Sequence, residues 1–192
     1  MLQKGPSTER DLAIVPKLTS LQTRTMSGDF IHQRHKPPSQ LDRARELVVA
    51  VPQMQSGVNL ARIVRAAGCF GITRIVAEGK GKVDAKIARD AVEFVEISWH
   101  RSLLPVLQKL KADGYRLVGL EQATRSLVIY DYQYPRRSVL VIGHERHGIR
   151  EDELAVVDDV IEIPMHGQPH SHNAASSAII GMYEYCRQFP QG

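Results

Sequence analysis

The sequence predicts an α/β domain: a mostly parallel β-sheet with helices on both faces. Six short runs carry the strand half of that prediction: ELVVAV (46–51), TRIVAE (73–78), FVEISW (94–99), YRLVGL (115–120), SVLVIG (138–143) and VIEIPM (160–165). Stretches of helical character separate them, around 58–69, 84–91, 101–113, 151–157 and 173–188. The strand runs are rich in β-branched residues and nearly uninterrupted in apolar character, as expected of strands buried on both faces of a parallel sheet.

Taken in order, residues 1–40 hold Pro6, Pro16 and HKPPSQ and show no sustained period. They read as an extension, partly helical at best, that ends in a linker at Pro37–Pro38. The expected division is a basic extension over 1–45 and one domain over 46–192. Residues 1–50 carry eight Lys and Arg against five acids, so they supply +3 of the chain's net +4. That charge suits a polyanionic partner, or is a solvated tail. The first helix, NLARIVRAAGCFGI, has Asn59 at its start and two arginines that interrupt its apolar stretch. Arg62 can snorkel to solvent, whereas Arg65 is expected on the inner face, where a guanidinium needs an anion. The last helix follows Ser171 and Asn173, both good N-cap residues, and opens on the small residues Ala174–Ala178 and Gly181.

Hydrophobic residues at 43% and charged residues at 24% are ordinary for a soluble protein, and the longest apolar runs are far too short to span a bilayer. No apolar signal region opens the chain, and Cys69 and Cys186 lack metal-ligand spacing. A reduced, cytoplasmic protein with two small buried thiols and no membrane partner is expected.

In a sheet of this kind, ligands bind at the carboxyl ends of the strands. That rule selects four loops: PQMQSGVN (52–59), EQATRS (121–126), GHERHG (143–148) and PMHGQPHSHN (164–173). Gly143 directly follows a strand, which permits a close backbone approach or a positive φ. Its surroundings lack the register of a phosphate-binding loop. Glu145 needs a cationic or hydrogen-bonding partner, unless it is simply a surface carboxylate. His144, His147, His166, His170 and His172 fall in these loops, yet no two lie on one helix and the nearest acid is Glu145. A metal site is therefore not expected.

Three ordered segments carry a more specific signal: N-x5-R from Asn59 to Arg65 with the alanines after it, then LVIGHERHGI, then IEIPMHGQPHSHNAASSA. Together they resemble the motifs of the SpoU/TrmH-type ribose 2′-O-methyltransferases of the SPOUT superfamily. The resemblance spans about residues 46–188. GYRLVGLEQATRSL and MYEYCRQ are most similar to the branch that methylates a guanosine ribose in the D-loop of tRNA. The resemblance implies a sheet whose C-terminal part threads into a trefoil knot, S-adenosylmethionine (SAM) as cofactor, and no metal. It implies Gly143, Ile163, Met165 and the backbone near His172 as cofactor contacts, with Glu121, Gln122 and Ala123 on the adenosine side. Asn59, Arg65, Glu145, Ser171 and Asn173 match the family's catalytic positions. Three residues depart from its pattern: His172 replaces a leucine, His144 a frequent asparagine, and Ala123 a threonine. Arg65 would act as general base or as a phosphate clamp. The latter suits a guanidinium that stays protonated. A homodimer through the first and last helices is also implied, with Ala174, Ala178 and Gly181 as the close-packing face. Ribosomal RNA is the alternative substrate, and an inactive RNA-binding protein or a metal-dependent hydrolase are the alternative classes.

Overall fold

The computed structural model of the chain describes residues 31–34 and 36–192. Expectations for residues 1–30 lie outside that range. Ser39–Gly192 form one compact unit. Its elements are β1 (Leu47–Val51), α1 (Gly57–Phe70), β2 (Arg74–Glu78), α2 (Ala85–Ala88), α3 (Ala91–Phe94), β3 (Glu96–His100), α4 (Leu104–Ala112), β4 (Arg116–Leu120), β5 (Leu127–Val128), β6 (Ser138–Ile142), α5 (Glu151–Leu154), β7 (Asp159–Glu162) and α6 (Ala174–Gln188).

The strands form one parallel sheet in the order β3-β2-β1-β6-β4-β7-β5. β1 lies between β2 and β6, with Val49 opposite both Ile75 and Leu140. Period-two alternation then sends successive side chains to opposite faces. Val49, Val51, Val118, Leu120, Leu140 and Ile142 meet α1 and α6, while Val48, Ala50, Leu117, Val139 and Val141 meet α4. Two cores flank one sheet, which is why the strand sequences are apolar throughout rather than alternating.

Four expectations are corrected. β5 was not foreseen, because two residues among polar neighbours give no strand signal. The single helix expected over 84–91 is two short ones, α2 and α3, separated at Arg89, whose φ of 57° no α-helix accommodates. Cys69 is exposed, since it falls on the outer face of α1, and only Cys186 is partly buried. Ala178 and Gly181 are buried inside the protomer, where a Cβ at Gly181 would come within 2.9 Å of Leu140. Their smallness lets α6 lie close on the sheet, so this face is not free for a second subunit.

The segment before β1 belongs to the compact unit. Arg45 donates from Nε to the Phe70 carbonyl (2.7 Å) and from Nη1 to the Phe189 carbonyl (2.5 Å). It thereby joins the ends of α1 and α6, and its charge serves packing as well as the surface.

Candidate functional site

Because the strands are parallel, the carboxyl ends of β1, β4, β6 and β7 emerge along one edge. The four polar loops singled out above follow those ends. Between β4, β6 and β7 they leave a cleft of about 250 Å³. Leu120, Ile142 and Ile163 supply apolar walls, and the 163–172 segment supplies much of the rest.

The 143–149 loop is a small hairpin. His144 N donates to the Gly148 carbonyl (2.9 Å) and Gly148 N donates back to His144 (3.0 Å). Gly148, with φ of 67°, makes the tight return. A Cβ at Gly143 would lie 2.9 Å from the Gly148 backbone and from Glu121 Oε2. The bare glycine at 143 is thus required by the hairpin's own far end. The close backbone approach expected at 143 is made by the chain itself, and the positive φ belongs to Gly148 instead. Glu121 fixes the base of the hairpin by accepting from Ile149 N at 2.9 Å. Neither Gly148 nor Ile149 was singled out in the sequence. A glycine five residues after Gly143 was the available signal.

Glu145 reaches from the hairpin to the start of α1. Its carboxylate accepts from Asn59 Nδ2 (2.9 Å), Gln55 N (3.2 Å) and Ser56 N (3.4 Å). Burial alone would raise its pKa, but these donors outweigh burial and hold the carboxyl below its ordinary range. An anion at the first turn of a 14-residue helix also meets the positive end of its dipole. Asn59 Oδ1 accepts from Asn173 Nδ2 at 3.2 Å, and Asn173 Oδ1 caps α6 through Ala175 N (3.0 Å) and Ser176 N (3.3 Å). Glu145, Asn59 and Asn173 therefore form one chain of hydrogen bonds that links two helix starts to the cleft wall.

Glu121, Gln122, Gly143, Glu145, Ile163, Met165, Ser171 and His172 all line the cleft. Ala123 does not: its carbonyl accepts from Ser126 N (3.2 Å) and Oγ (2.8 Å) and closes a turn beside it. Arg65 is not on an inner face. Six residues along a helix amount to about 600°, which turns it away from Asn59. It is exposed, as is Arg62, and makes no hydrogen bond or ion pair with another described residue.

Among the described residues no three His, Cys, Asp or Glu side chains converge as a metal-binding group, and no helix is long and apolar enough to cross a membrane. His144 and His147 stack face to face instead, with centroids 4.9 Å apart.

A fully parallel sheet with a cleft at its carboxyl edge is the arrangement in which open α/β proteins bind their ligands. Residues 46–183 match the SpoU rRNA Methylase family, and the chain belongs to that family. The tRNA (guanosine(18)-2′-O)-methyltransferase of Escherichia coli (strain K12) is 26% identical over 149 residues, covering 76% of this chain and 65% of that relative. The chain thus spans just under two thirds of its length. A crystal structure of a TrmH/SpoU tRNA modifying enzyme of A. aeolicus matches with a TM-score of 0.73 and 25% identity, covering 78% of each chain. The SpoU methyltransferase AviRb of Streptomyces viridochromogenes, in complex with the cofactor AdoMet, matches with a TM-score of 0.67 and 25% identity over 78% of this chain and 63% of that one.

Proposed function

We propose that the chain is a SAM-dependent RNA methyltransferase that transfers a methyl group to a ribose 2′-hydroxyl, with a guanosine in tRNA as its target. The carrying observation is that two sequence motifs distant along the chain line one cleft, and that the third is tied to it through Asn59, which hydrogen-bonds Glu145 on one side and Asn173 on the other.

The cleft fits the cofactor chemically. It combines apolar walls with the Glu121 carboxylate, which meets no cation within salt-bridge distance among the described residues, and with a non-helical backbone segment over 163–172. Gly143, Ile163, Met165, His172, Glu121 and Gln122 would hold SAM, which supplies a methyl on a cationic sulfur. Ala123 would act by shaping the turn. Glu145, Asn59 and Asn173 position the wall against which the ribose is presented, and Ser171 offers a hydroxyl at the cleft. Holding acceptor and donor in line supplies much of such catalysis. Arg65, exposed, would clamp an RNA phosphate or stabilise charge developing on the 2′-oxygen.

The same reading includes the trefoil knot. The strand order supports it: β6 enters between β1 and β4, β7 inserts between β4 and β5, and α6 then returns to pack on α1. It includes a cytoplasmic homodimer, supported by apolar side chains exposed on α1 and α6, Val58 and Tyr183. The basic extension expected over 1–45 would bind RNA beside the 46–192 methyltransferase domain, although its last residues, 39–45, are part of the compact unit, and the lysines of EGKGK (78–82) would add phosphate contacts.

The test incubates the full chain and SAM with total tRNA and, separately, with ribosomal RNA, then maps methylated nucleosides by mass spectrometry. A 2′-O-methylguanosine in tRNA is the expected product. Methylation of ribosomal RNA only, methylation on a base, or no transfer to either RNA would overturn this reading.

A further inference from the structure

The hairpin over 143–149 has two flanks, and only one faces the cleft. On the other, at the ends of β1 and β2, lies a second cavity of about 340 Å³. We propose that it receives the base of the nucleotide whose ribose is methylated, and that it is built to accept guanine. This inference rests on the methyltransferase reading above.

Three features point to a purine rather than to an incidental hollow. First, His144 borders both cavities, so a nucleotide whose base sits in one presents its ribose near the hairpin that carries Glu145. Second, the walls suit a flat ring. Pro52 and Met54 are apolar, and His147, stacked on His144 with an interplanar angle of 18°, offers an aromatic surface for base stacking. Third, the floor carries surplus acceptors. Arg150 donates to Glu78 Oε1 (2.8 Å) and Glu153 Oε1 (2.5 Å), and its Nε lies 3.6 Å from Asp152. Three carboxylates thus share one guanidinium. Glu78 Oε2 makes no hydrogen bond with a described residue, although the side chain is only 11% exposed.

Guanine is the base this floor matches. Its Watson–Crick edge presents two adjacent donors, N1–H and the N2 amino group, which fit the two oxygens of one carboxylate. Its O6 accepts and can take a hydrogen bond from a guanidinium or an amide. The adenine edge places the acceptor N1 beside its single amino group and would set a lone pair against a carboxylate. Gln53 provides the amide: its side chain lies over Gly79, where a Cβ would come within 3.1 Å of its amide carbon, and so borders Glu78. The assignment makes Glu78 a specificity residue that reads the base, separate from the groups that hold the cofactor.

The test uses the full chain, SAM and tRNA transcripts that carry guanosine or inosine at the methylated position. Inosine lacks only the N2 amino group. The wild-type protein is expected to prefer guanosine by about tenfold or more in kcat/KM, the size of one lost hydrogen bond to a charged group. Glu78→Gln is expected to bring that ratio within a few-fold of one while leaving SAM affinity unchanged. Equal wild-type use of guanosine and inosine would overturn the base-reading assignment and leave the methyltransferase reading intact. So would a Glu78→Gln loss of the same factor on both transcripts, which is the signature of a merely structural ion pair. The wild-type comparison decides the matter by itself if the variant does not fold. Absence of transfer to any RNA would overturn both readings together.

Discussion

The amino end of the sheet and the cleft at its carboxyl end hold their carboxylates in opposite ways. At the amino end, where β4 and β7 begin, acids meet cations. Asp159 accepts from Arg116 Nε (2.7 Å) and Nη2 (3.0 Å) and from the Tyr132 hydroxyl (2.8 Å), and Asp158 pairs with Lys111 Nζ at 2.7 Å. At the carboxyl end Glu121 and Glu145 are held by backbone N–H groups and by Asn59. The cation candidate nearest Glu145 there is His144, at 3.8 Å. Charge is cancelled at the amino end, whereas Glu121 and Glu145 at the cleft are anchored without being cancelled; the Glu78–Arg150 pair lies on the hairpin's other flank. Rigidly held carboxylates without an Arg or Lys partner among the described residues suit a ligand that brings its own positive charge, as a sulfonium donor does. The difference separates variants that act on stability from variants that act on chemistry.

The largest effects are expected at the carboxyl end. Glu145→Ala should lower methyl transfer by about a hundredfold or more, the scale that follows from misplacing reacting groups by an ångström. Its cost in stability should be about 1–2 kcal/mol, that of a lost helix cap. Single-turnover kinetics and a denaturation curve check the two parts, and turnover within a few-fold of wild type would break the contrast. Arg65→Ala should show the same loss of transfer with stability changed by less than about 0.5 kcal/mol, because the side chain is exposed and bonds to no described residue. Arg65→Lys should also be poor, since an ammonium lacks the planar fork that grips a phosphate.

Asp159→Ala should do the reverse. It leaves the nearly buried Tyr132 hydroxyl without its acceptor and should cost about 1–3 kcal/mol. Transfer per folded molecule should stay within a few-fold of wild type. A selective loss of transfer in this variant would mean that the two ends are coupled.

The pH dependence follows from the same groups. Asp159 lies below its ordinary range chiefly because Arg116 donates to it. Burial raises Asp158 and Glu145, but Lys111 and Asn59 respectively, with backbone donors, bring both below it. A carboxyl depressed in the folded state adds stability that is present above its unfolded pKa and lost as pH falls through the folded value. Unfolding free energy should therefore fall as pH drops below about 4. Asp159→Asn should flatten that fall, and added salt should blunt the Arg116 contribution, since that side chain is 48% exposed. An unchanged acid limb in Asp159→Asn would remove the amino-end pair from the account.

What the sequence disclosed follows from how local each signal is. Strand runs and the Asn173 cap are readable because burial on both faces and capping leave marks within a few residues. The β5 strand, the break at Arg89 and the outward turn of Arg65 were not, since each depends on packing or helix phase across the fold. Motif resemblance brought Asn59, Glu145 and Asn173 together before their contact was seen, although 86 and 114 residues separate the bonded pairs. The Glu78–Arg150–Glu153 cluster had no such guide, because its members come from a strand end and a short helix with no shared pattern.

The smallest effect expected is at Tyr134, in the aromatic cluster beside the amino end. Three tyrosines pack edge to face there, with centroids of Tyr132 and Tyr134 4.9 Å apart and those of Tyr134 and Tyr185 5.7 Å apart. Tyr132 donates to Asp159 and Tyr185 to the Arg136 carbonyl (2.6 Å), but the buried Tyr134 hydroxyl finds no partner among the described residues. Phenylalanine keeps the ring contacts and removes only the oxygen. At 132 or 185 that change should cost about 1 kcal/mol, the net worth of an ordinary hydrogen bond, whereas at 134 it should be neutral or stabilising by up to about 1 kcal/mol. The three variants unfolded side by side in urea give the comparison directly. A Tyr134→Phe protein as destabilised as the other two would show that the hydroxyl is bonded in solution, to a buried water.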